Sequence, residues 1–136
     1  MDLSWSDPQA VFSQKGASAM GGLGPFGRLI LASKDMQEYT AVFFRVLKGK
    51  DRYMVLMCSD QSRSSLHLDY DKTTYGAFVD LDPVKEKLCS RSLIDHSVVE
   101  SFGGEGRVCI TARVYPSLAV DEGAHLYAFN NVAQRT

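Results

Sequence analysis

The sequence lacks several features that would assign it to common classes of protein. None of its apolar runs approaches the roughly 20 residues that a membrane-spanning helix needs. Its 15 Lys and Arg residues are balanced by 16 Asp and Glu residues, so the basic excess of a typical nucleic-acid binder is missing. Residues 1–7 contain no basic stretch followed by an apolar one, so no signal peptide is expected. These absences argue against a membrane or nucleic-acid partner.

Cysteine and histidine are too sparse and too widely spaced to predict a metal site. The three cysteines, Cys58, Cys89 and Cys109, include no C-x-x-C pair, which argues against a zinc ribbon or a thioredoxin-like site. The three histidines lack the H-x-x-x-H and H-E-x-x-H spacings of metal sites. We therefore expect no metal, and we interpret the cysteines as buried or half-buried thiols.

The composition is that of one folded domain. Hydrophobic residues make up 45% and charged residues 23% of the 136 positions, which is enough for a single core. Residues 1–25 are predicted to form a loop-rich N-terminal segment, because Ser, Gly, Pro and Ala dominate its second half. Residues 26–131 are predicted to form a β-sandwich module, and residues 132–136 a tail.

Short apolar runs separated by turn signals predict an all-β fold. Alternation is clearest at residues 107–115, where Val108, Ile110 and Ala112 share one face of a strand. Residues 82–87 could form one helical turn at most. About eight short strands joined by turns predict an antiparallel β-sandwich. The predicted strands cover residues 26–32, 39–48, 52–58, 75–81, 88–94, 98–102, 107–115 and 124–130.

The run from Gly22 to Gly27 matches the spacing G-x-G-x-x-G of dinucleotide-binding loops. That chemistry requires a preceding strand and a following helix, whose N-terminus meets the phosphate. Here a Ser/Gly/Ala-rich loop precedes the run and a strand follows it, while Pro25 removes a backbone donor. We interpret the run as a turn leading into a strand and expect no cofactor.

Two polar regions could carry chemistry, and each has a simpler interpretation. Asp95 and Glu100 flank a turn, and glycosidases use paired carboxylates as acid and nucleophile or base. Solvated turn caps explain the same residues. Residues 58–65 are dense in hydrogen-bonding groups that could bind a sugar, dock a neighbouring domain or satisfy the loop's own backbone.

Several motifs together resemble one family. Residues 92–104 resemble the D-x-S-x-x-E-x-F signature of the C-terminal sandwich in glycoside hydrolase family 32. Four further stretches look like the plant members, the acid invertases (β-fructofuranosidases) and the related fructan exohydrolases. They are residues 23–27, 58–65, 109–116 and 129–131. Residues 39–48 favour the cell-wall type of invertase over the vacuolar type.

The resemblance implies a module rather than a whole enzyme. In this family an N-terminal five-bladed β-propeller carries the catalytic residues in the motifs N-D-P-N-G, R-D-P and E-C, and none of these motifs occurs here. No catalytic residue is therefore predicted. The resemblance implies a catalytic β-propeller as partner, sucrose or fructan as the parent's sugar, and an apoplastic or cell-wall location. Structural or interdomain roles are implied for Asp60, Arg63, Asp95, Ser97, Glu100 and Arg113.

Two departures from the family pattern lead to further expectations. The family usually has Cys where Phe12 stands, and that residue pairs with the position of Cys58, so Cys58 is predicted to be free and no disulfide is expected. The family has strands before residue 10 and after residue 131, so the sandwich is expected to be incomplete at both ends. Unpaired edges and uncovered apolar faces would follow.

Two other functions are compatible with the residues. A stand-alone, lectin-like sandwich would use aromatic platforms beside polar groups, with Asp60 and Arg63 near the candidate rings. Those rings are Tyr53, Tyr70, Tyr75 and Tyr127. A self-contained retaining hydrolase would need the carboxyls of Asp95 and Glu100 about 5 Å apart in a cleft.

Overall fold

Alternating apolar and polar side chains favour extended strands along most of the chain, since a strand points successive residues to opposite faces. The computed structural model describes residues 2–3 and 22–130. Within them lie nine strands and one short 3-10 helix, η1 (Asp121–Gly123). The strands are β1 (Asp2–Leu3), β2 (Gly22–Ala32), β3 (Thr40–Lys48), β4 (Tyr53–Asp60), β5 (Thr74–Val79), β6 (Leu88–Asp95), β7 (Val98–Gly103), β8 (Val108–Arg113) and β9 (His125–Asn130).

The nine strands form two antiparallel sheets. One has the order β5-β4-β3-β2-β9, and the other has the order β1-β6-β7-β8. The all-β, antiparallel sandwich predicted from the sequence is confirmed. In β8 the predicted alternation also holds, because Ile110 and Ala112 are buried while Thr111 and Arg113 are exposed.

The eight predicted strands are present, with ends displaced by no more than four residues. Residues 1–25 were predicted to be loop-rich, and the described part of that segment contains two strand stretches. β1 pairs with β6, and β2 begins at Gly22 and pairs with Leu47 of β3. Glycine disfavours strands in isolation, but pairing with a long neighbouring strand overrides that preference. A register shift between Leu23 and Phe26 accommodates the irregular start of β2.

The core lies between the two sheets. It contains large side chains from both, including Phe44 and Met57 from one and Leu88 and Val99 from the other. Gly103 of β7 lies at a close approach of the two sheets, because a Cβ placed there would be 2.5 Å from the sulfur of Met57. The two sheets therefore pack directly on each other through a glycine.

Some of the sequence-based predictions fall outside the described residues. They include Phe12, most of the segment 1–25 and the tail at 132–136. All three cysteines are described, and each is a free thiol; Cys58 is buried, Cys89 is half-buried and Cys109 is exposed. Burial raises the pKa of the Cys58 thiol.

Candidate functional site

A groove lies between strands β5 and β8, next to the β4–β5 loop. Its volume is about 390 Å³. β5 and β8 are edge strands of different sheets among the strands described. The groove is lined by Gln61, Asp71, Thr73, Tyr75, Thr111, Ala112, Arg113 and Tyr115. We call it the β5/β8 groove.

Aromatic rings extend outward from one wall of this groove. The ring of Tyr115 lies 4.7 Å from that of Tyr70, centroid to centroid, and Tyr70 contacts His67 edge-on at 5.5 Å. A guanidinium nitrogen of Arg113, Nη1, donates to the hydroxyl of Tyr115 at 3.3 Å. The aromatic rings of the β4–β5 loop, His67 and Tyr70, therefore form one cluster with Tyr115, which follows β8.

Polar side chains, one of them buried, hold the β4–β5 loop in place. The side-chain amide nitrogen of Gln61 donates to the backbone carbonyls of Ser59 (3.0 Å) and Thr73, and the amide oxygen accepts from the Ser59 hydroxyl. Gln61 is almost fully buried. Its hydrogen bonds link the end of β4 to the start of β5. Asp71 accepts from the backbone N–H of Thr73 at 3.0 Å, and also from the Thr73 hydroxyl. These hydrogen bonds lower the pKa of Asp71, which favours its ionised form.

Glu38 connects three loops next to the groove. Its carboxylate is fully buried. It accepts from the backbone N–H of Leu66 in one loop, and from those of Ser117, Leu118 and Ala119 in another, at 2.6–3.1 Å. Burial by itself raises the pKa of Glu38, but the hydrogen bonds from these N–H groups lower it to about 2. The loop that follows Tyr115 and the β4–β5 loop are thus held by one charged group.

The sequence-predicted residues fall into two groups. Asp95, Ser97 and Glu100 lie on the β6–β7 hairpin, and Arg113 of β8 is the register partner of Val98. Asp95 pairs with His96 at 2.7 Å, the Ser97 carbonyl accepts from the N–H of Val114, and Glu100 accepts from the Thr111 hydroxyl at 3.3 Å.

Asp60 and Arg63 form the second group, at the end of β4. Asp60 accepts from the Ser62 N–H at 2.9 Å and from the Thr74 hydroxyl at 3.0 Å. The guanidinium of Arg63 lies 5.9 Å above the ring of Tyr39. Of the predicted residues in these two groups, Arg113 lines the β5/β8 groove. Gln61 and Thr111, which neighbour the two groups, line it as well.

The four candidate sugar-binding tyrosines are not assembled on one surface. Tyr75 lines the groove and Tyr70 stacks on Tyr115 beside it. Tyr53 begins β4 and pairs with Lys48, while Tyr127 lies on β9.

Sequence reasoning missed Tyr115 and Glu38. Tyr115 was placed within the predicted strand 107–115 and was not among the candidate rings, and Glu38 lies in a charged segment that is typical of solvated turns.

The paired carboxylates, Asp95 and Glu100, lie outside the β5/β8 groove and outside a second, larger cavity. Asp95 is opposite Val98, whereas Glu100 is opposite Leu93, so the two are offset along the hairpin. Neither lines the groove or the larger cavity beside β6, whose volume is about 750 Å³. Arg28 reaches into that larger cavity and donates to the carbonyl and hydroxyl of Ser90, both at 2.8 Å.

Metal-binding clusters and membrane-spanning helices are both absent from the described residues. No group of three or more His, Cys, Asp or Glu side chains in residues 2–3 and 22–130 could hold a metal ion. In the same residues, no helix has the length and apolar character required to cross a membrane.

The chain is similar to glycosyl hydrolases of family 32. Residues 6–136 match the family model described as "Glycosyl hydrolases family 32 C terminal". The chain is 66% identical over 122 residues to the cell wall isozyme of beta-fructofuranosidase from Pisum sativum, covering 90% of this chain and 22% of that protein. It is 58% identical over 131 residues to fructan 6-exohydrolase from Beta vulgaris, covering 96% of this chain and 22% of that protein.

Solved structures include a similar fold at high identity. Fructan 1-exohydrolase IIa from Cichorium intybus matches with a TM-score of 0.77 and 54% identity, over 96% of this chain and 25% of that one. A second structure of that enzyme is a complex with 1-kestose and matches equally. The chain spans less than a quarter of the length of the curated relatives given above.

Proposed function

The chain belongs to the C-terminal domain family of the family 32 glycosyl hydrolases, and on that premise we propose that it is a non-catalytic sandwich that braces a catalytic β-propeller. The parent enzyme is an invertase-like β-fructosidase. It hydrolyses sucrose and terminal β-fructofuranosides by a retaining mechanism that uses two carboxylates. Any such hydrolysis takes place on the propeller, and the sandwich stabilises it and shapes the rim of its cleft.

One observation carries this proposal. The chain matches a C-terminal family over nearly its whole length, yet covers only 22% of its pea relative. The remaining length of that relative corresponds to a further domain. The motifs N-D-P-N-G, R-D-P and E-C, which the family places in its propeller, are absent from these 136 residues.

We assign the docking surface to the β6–β7 hairpin. Leu93 and Ile94 are 54% and 47% exposed, although both are large and apolar. Asp95 and His96 adjoin them at the turn, and both are almost fully exposed. Leu93 and Ile94 are neighbours in β6 and point to opposite faces of it, so each face of the hairpin end carries one exposed apolar side chain beside these polar groups. Apolar surface next to polar groups is typical of protein interfaces. The occupant is the catalytic domain, because the relatives carry their remaining length in the same chain.

The other predicted residues divide between local and interdomain roles. Asp60, at the end of β4, accepts hydrogen bonds from the Ser62 N–H and the Thr74 hydroxyl, so we assign it a local role. Arg63 and Glu100 keep charged groups near the surface, where they can pair with the catalytic domain. The relatives from pea and Arabidopsis thaliana are named as cell wall or insoluble isoenzymes, which supports a cell-wall setting for the parent.

A reconstitution experiment tests the proposal. The purified chain is assayed for glucose release from sucrose, alone and together with the part of the pea isozyme that precedes its matching region. We expect no release by the chain alone, and binding to the catalytic part. Leu93→Asp is expected to abolish this binding, whereas Leu68→Asp, at a side chain that is 90% exposed elsewhere, is a matched control without effect.

Two results would overturn parts of this account. Glucose release by the chain alone, surviving stringent purification, would contradict its non-catalytic role. Equal binding of the Leu93→Asp and Leu68→Asp variants would contradict the assignment of the docking surface to the hairpin.

A further inference from the structure

The β5/β8 groove has the chemistry of a carbohydrate site, and we propose that it binds a short neutral oligosaccharide. The proposed function narrows the ligand class to short β-fructosides, and the inference rests on it to that extent. This site lies on the sandwich itself and is separate from any catalytic cleft on the propeller.

Aromatic surface is available at the groove. Tyr75 on the β5 wall is 44% exposed, and Tyr115, which follows β8, is 37% exposed. Tyrosine combines an apolar ring with a polar hydroxyl, so it suits ligands that present both C–H and O–H groups. A sugar ring has that character, with an apolar face and a polar edge.

Polar groups with unused hydrogen-bonding capacity line the same groove as these rings. Asp71 engages Thr73 through Oδ1, and among the described residues its Oδ2 accepts no hydrogen bond. Arg113 donates through Nη1 to Tyr115, and its other guanidinium nitrogens have no partner in the part of the chain that the structure describes. The groove therefore offers an acceptor and several donors to a ligand rich in hydroxyl groups.

The net charge and the size of the groove select the class of ligand. The lining includes one carboxylate and one guanidinium, so the site favours a neutral molecule over an ionic one. The volume of about 390 Å³ lies within the range of roughly 300–1,000 Å³ that small-ligand sites occupy. These features fit an oligosaccharide of a few residues.

The groove is also built rigidly. Gln61 is only 1% exposed and bonds to the carbonyl of Thr73, so the floor is tied to β4. Glu38 holds the loops that contain Leu66 and Ser117 through backbone hydrogen bonds. A site fixed before binding loses little conformational entropy on binding, which is a requirement for weakly bound neutral ligands.

Binding can be measured on the whole 136-residue chain by titration calorimetry and by saturation-transfer NMR. The probes are sucrose and 1-kestose at millimolar concentrations. We expect saturable binding and a transfer of magnetisation to the sugar. Tyr75→Ala is expected to weaken binding about tenfold, a change of about 1.4 kcal/mol. Tyr75→Phe keeps the ring and is expected to retain most of the affinity.

Two further variants separate the groove from the rest of the surface. Asp71→Asn keeps the size of the side chain but removes the carboxylate, and is expected to weaken binding while leaving the melting temperature nearly unchanged. Tyr127→Ala removes an exposed ring on β9, outside the groove, and is expected to leave binding unchanged.

Three outcomes would overturn the inference. They are no binding of either sugar, binding that survives both Tyr75→Ala and Asp71→Asn, and occlusion of the groove by the catalytic domain in the reconstituted complex. None of them contradicts the bracing role, which depends on association of the domains and on the location of hydrolysis.

Discussion

At the residue scale, the buried carboxylate of Glu38 holds the loops beside the groove. A carboxylate with no exposed surface costs free energy unless its charge is compensated by hydrogen bonds. Four backbone N–H groups and the Ser117 hydroxyl compensate it here. Hydrogen bonds to a charged group are stronger than those between neutral groups, so this cluster stabilises the loops on both sides of the groove.

Replacing Glu38 is therefore expected to destabilise the fold. Glu38→Gln keeps the shape of the side chain but removes the charge and turns an acceptor oxygen into a donor that faces N–H groups. We expect the free energy of unfolding to fall by roughly 3 kcal/mol. Urea denaturation measures it, with Glu122→Gln, at an exposed position in η1, as the matched control expected to change little. A loss no larger than that of the control would contradict the assigned role.

The same carboxylate predicts a pH dependence. Folding lowers the pKa of Glu38 from 4.5 to about 2. Its contribution is therefore complete above pH 4.5 and is lost as the pH falls toward 2. Urea denaturation at a series of pH values should show that the difference between the wild-type chain and Glu38→Gln narrows in this range. A difference that stays constant from neutral pH to pH 2 would show that the charge of Glu38 contributes nothing.

At the scale of strands and sheets, the approach of the two sheets depends on Gly103. A Cβ at this position would lie 2.5 Å from the sulfur of Met57 and 3.4 Å from the ring of Phe44. Met57 and Phe44 are both buried, so neither has open space into which it can move. The glycine therefore sets the distance between β7 and the facing sheet.

Gly103→Ala should separate the sheets and destabilise the sandwich. Overpacking of a dense core typically costs about 1–3 kcal/mol, and we expect a loss in this range. Gly76→Ala is the control, because an added Cβ on this edge strand would meet its nearest neighbour at 3.6 Å, an ordinary contact. Thermal unfolding of both variants measures the effect. Equal melting temperatures for the two variants would contradict this account of the packing.

The sequence predicts most of the strands well, because the signal for a strand is a local pattern of alternating side chains. Alternation along β3 and β8 needs only neighbouring residues, and both strands were predicted to within two residues at each end. β1 and the start of β2 were missed, since their strand character comes from pairing with distant β6 and β3. The groove was missed for the same reason: Tyr75 and Tyr115 are far apart in sequence, and only the packing of the two sheets brings them to one site.

At the scale of the whole molecule, the docking hairpin and the groove adjoin each other. Arg113 lines the groove and is the register partner of Val98 on the hairpin strand β7. A catalytic domain seated on Leu93 and Ile94 would therefore lie beside the groove. A sugar bound in the groove would then lie close to the catalytic domain. The proposed docking surface and the proposed sugar site would thus be neighbours on the sandwich.

The bracing role is tested most directly by the thermal unfolding of the catalytic part of the pea relative, recorded with increasing amounts of this chain. A partner that binds only the native state raises the melting temperature in a concentration-dependent way. The account predicts such a rise with the wild-type chain and with Leu68→Asp, and none with Leu93→Asp. A melting temperature that does not change at any concentration of the wild-type chain would contradict it.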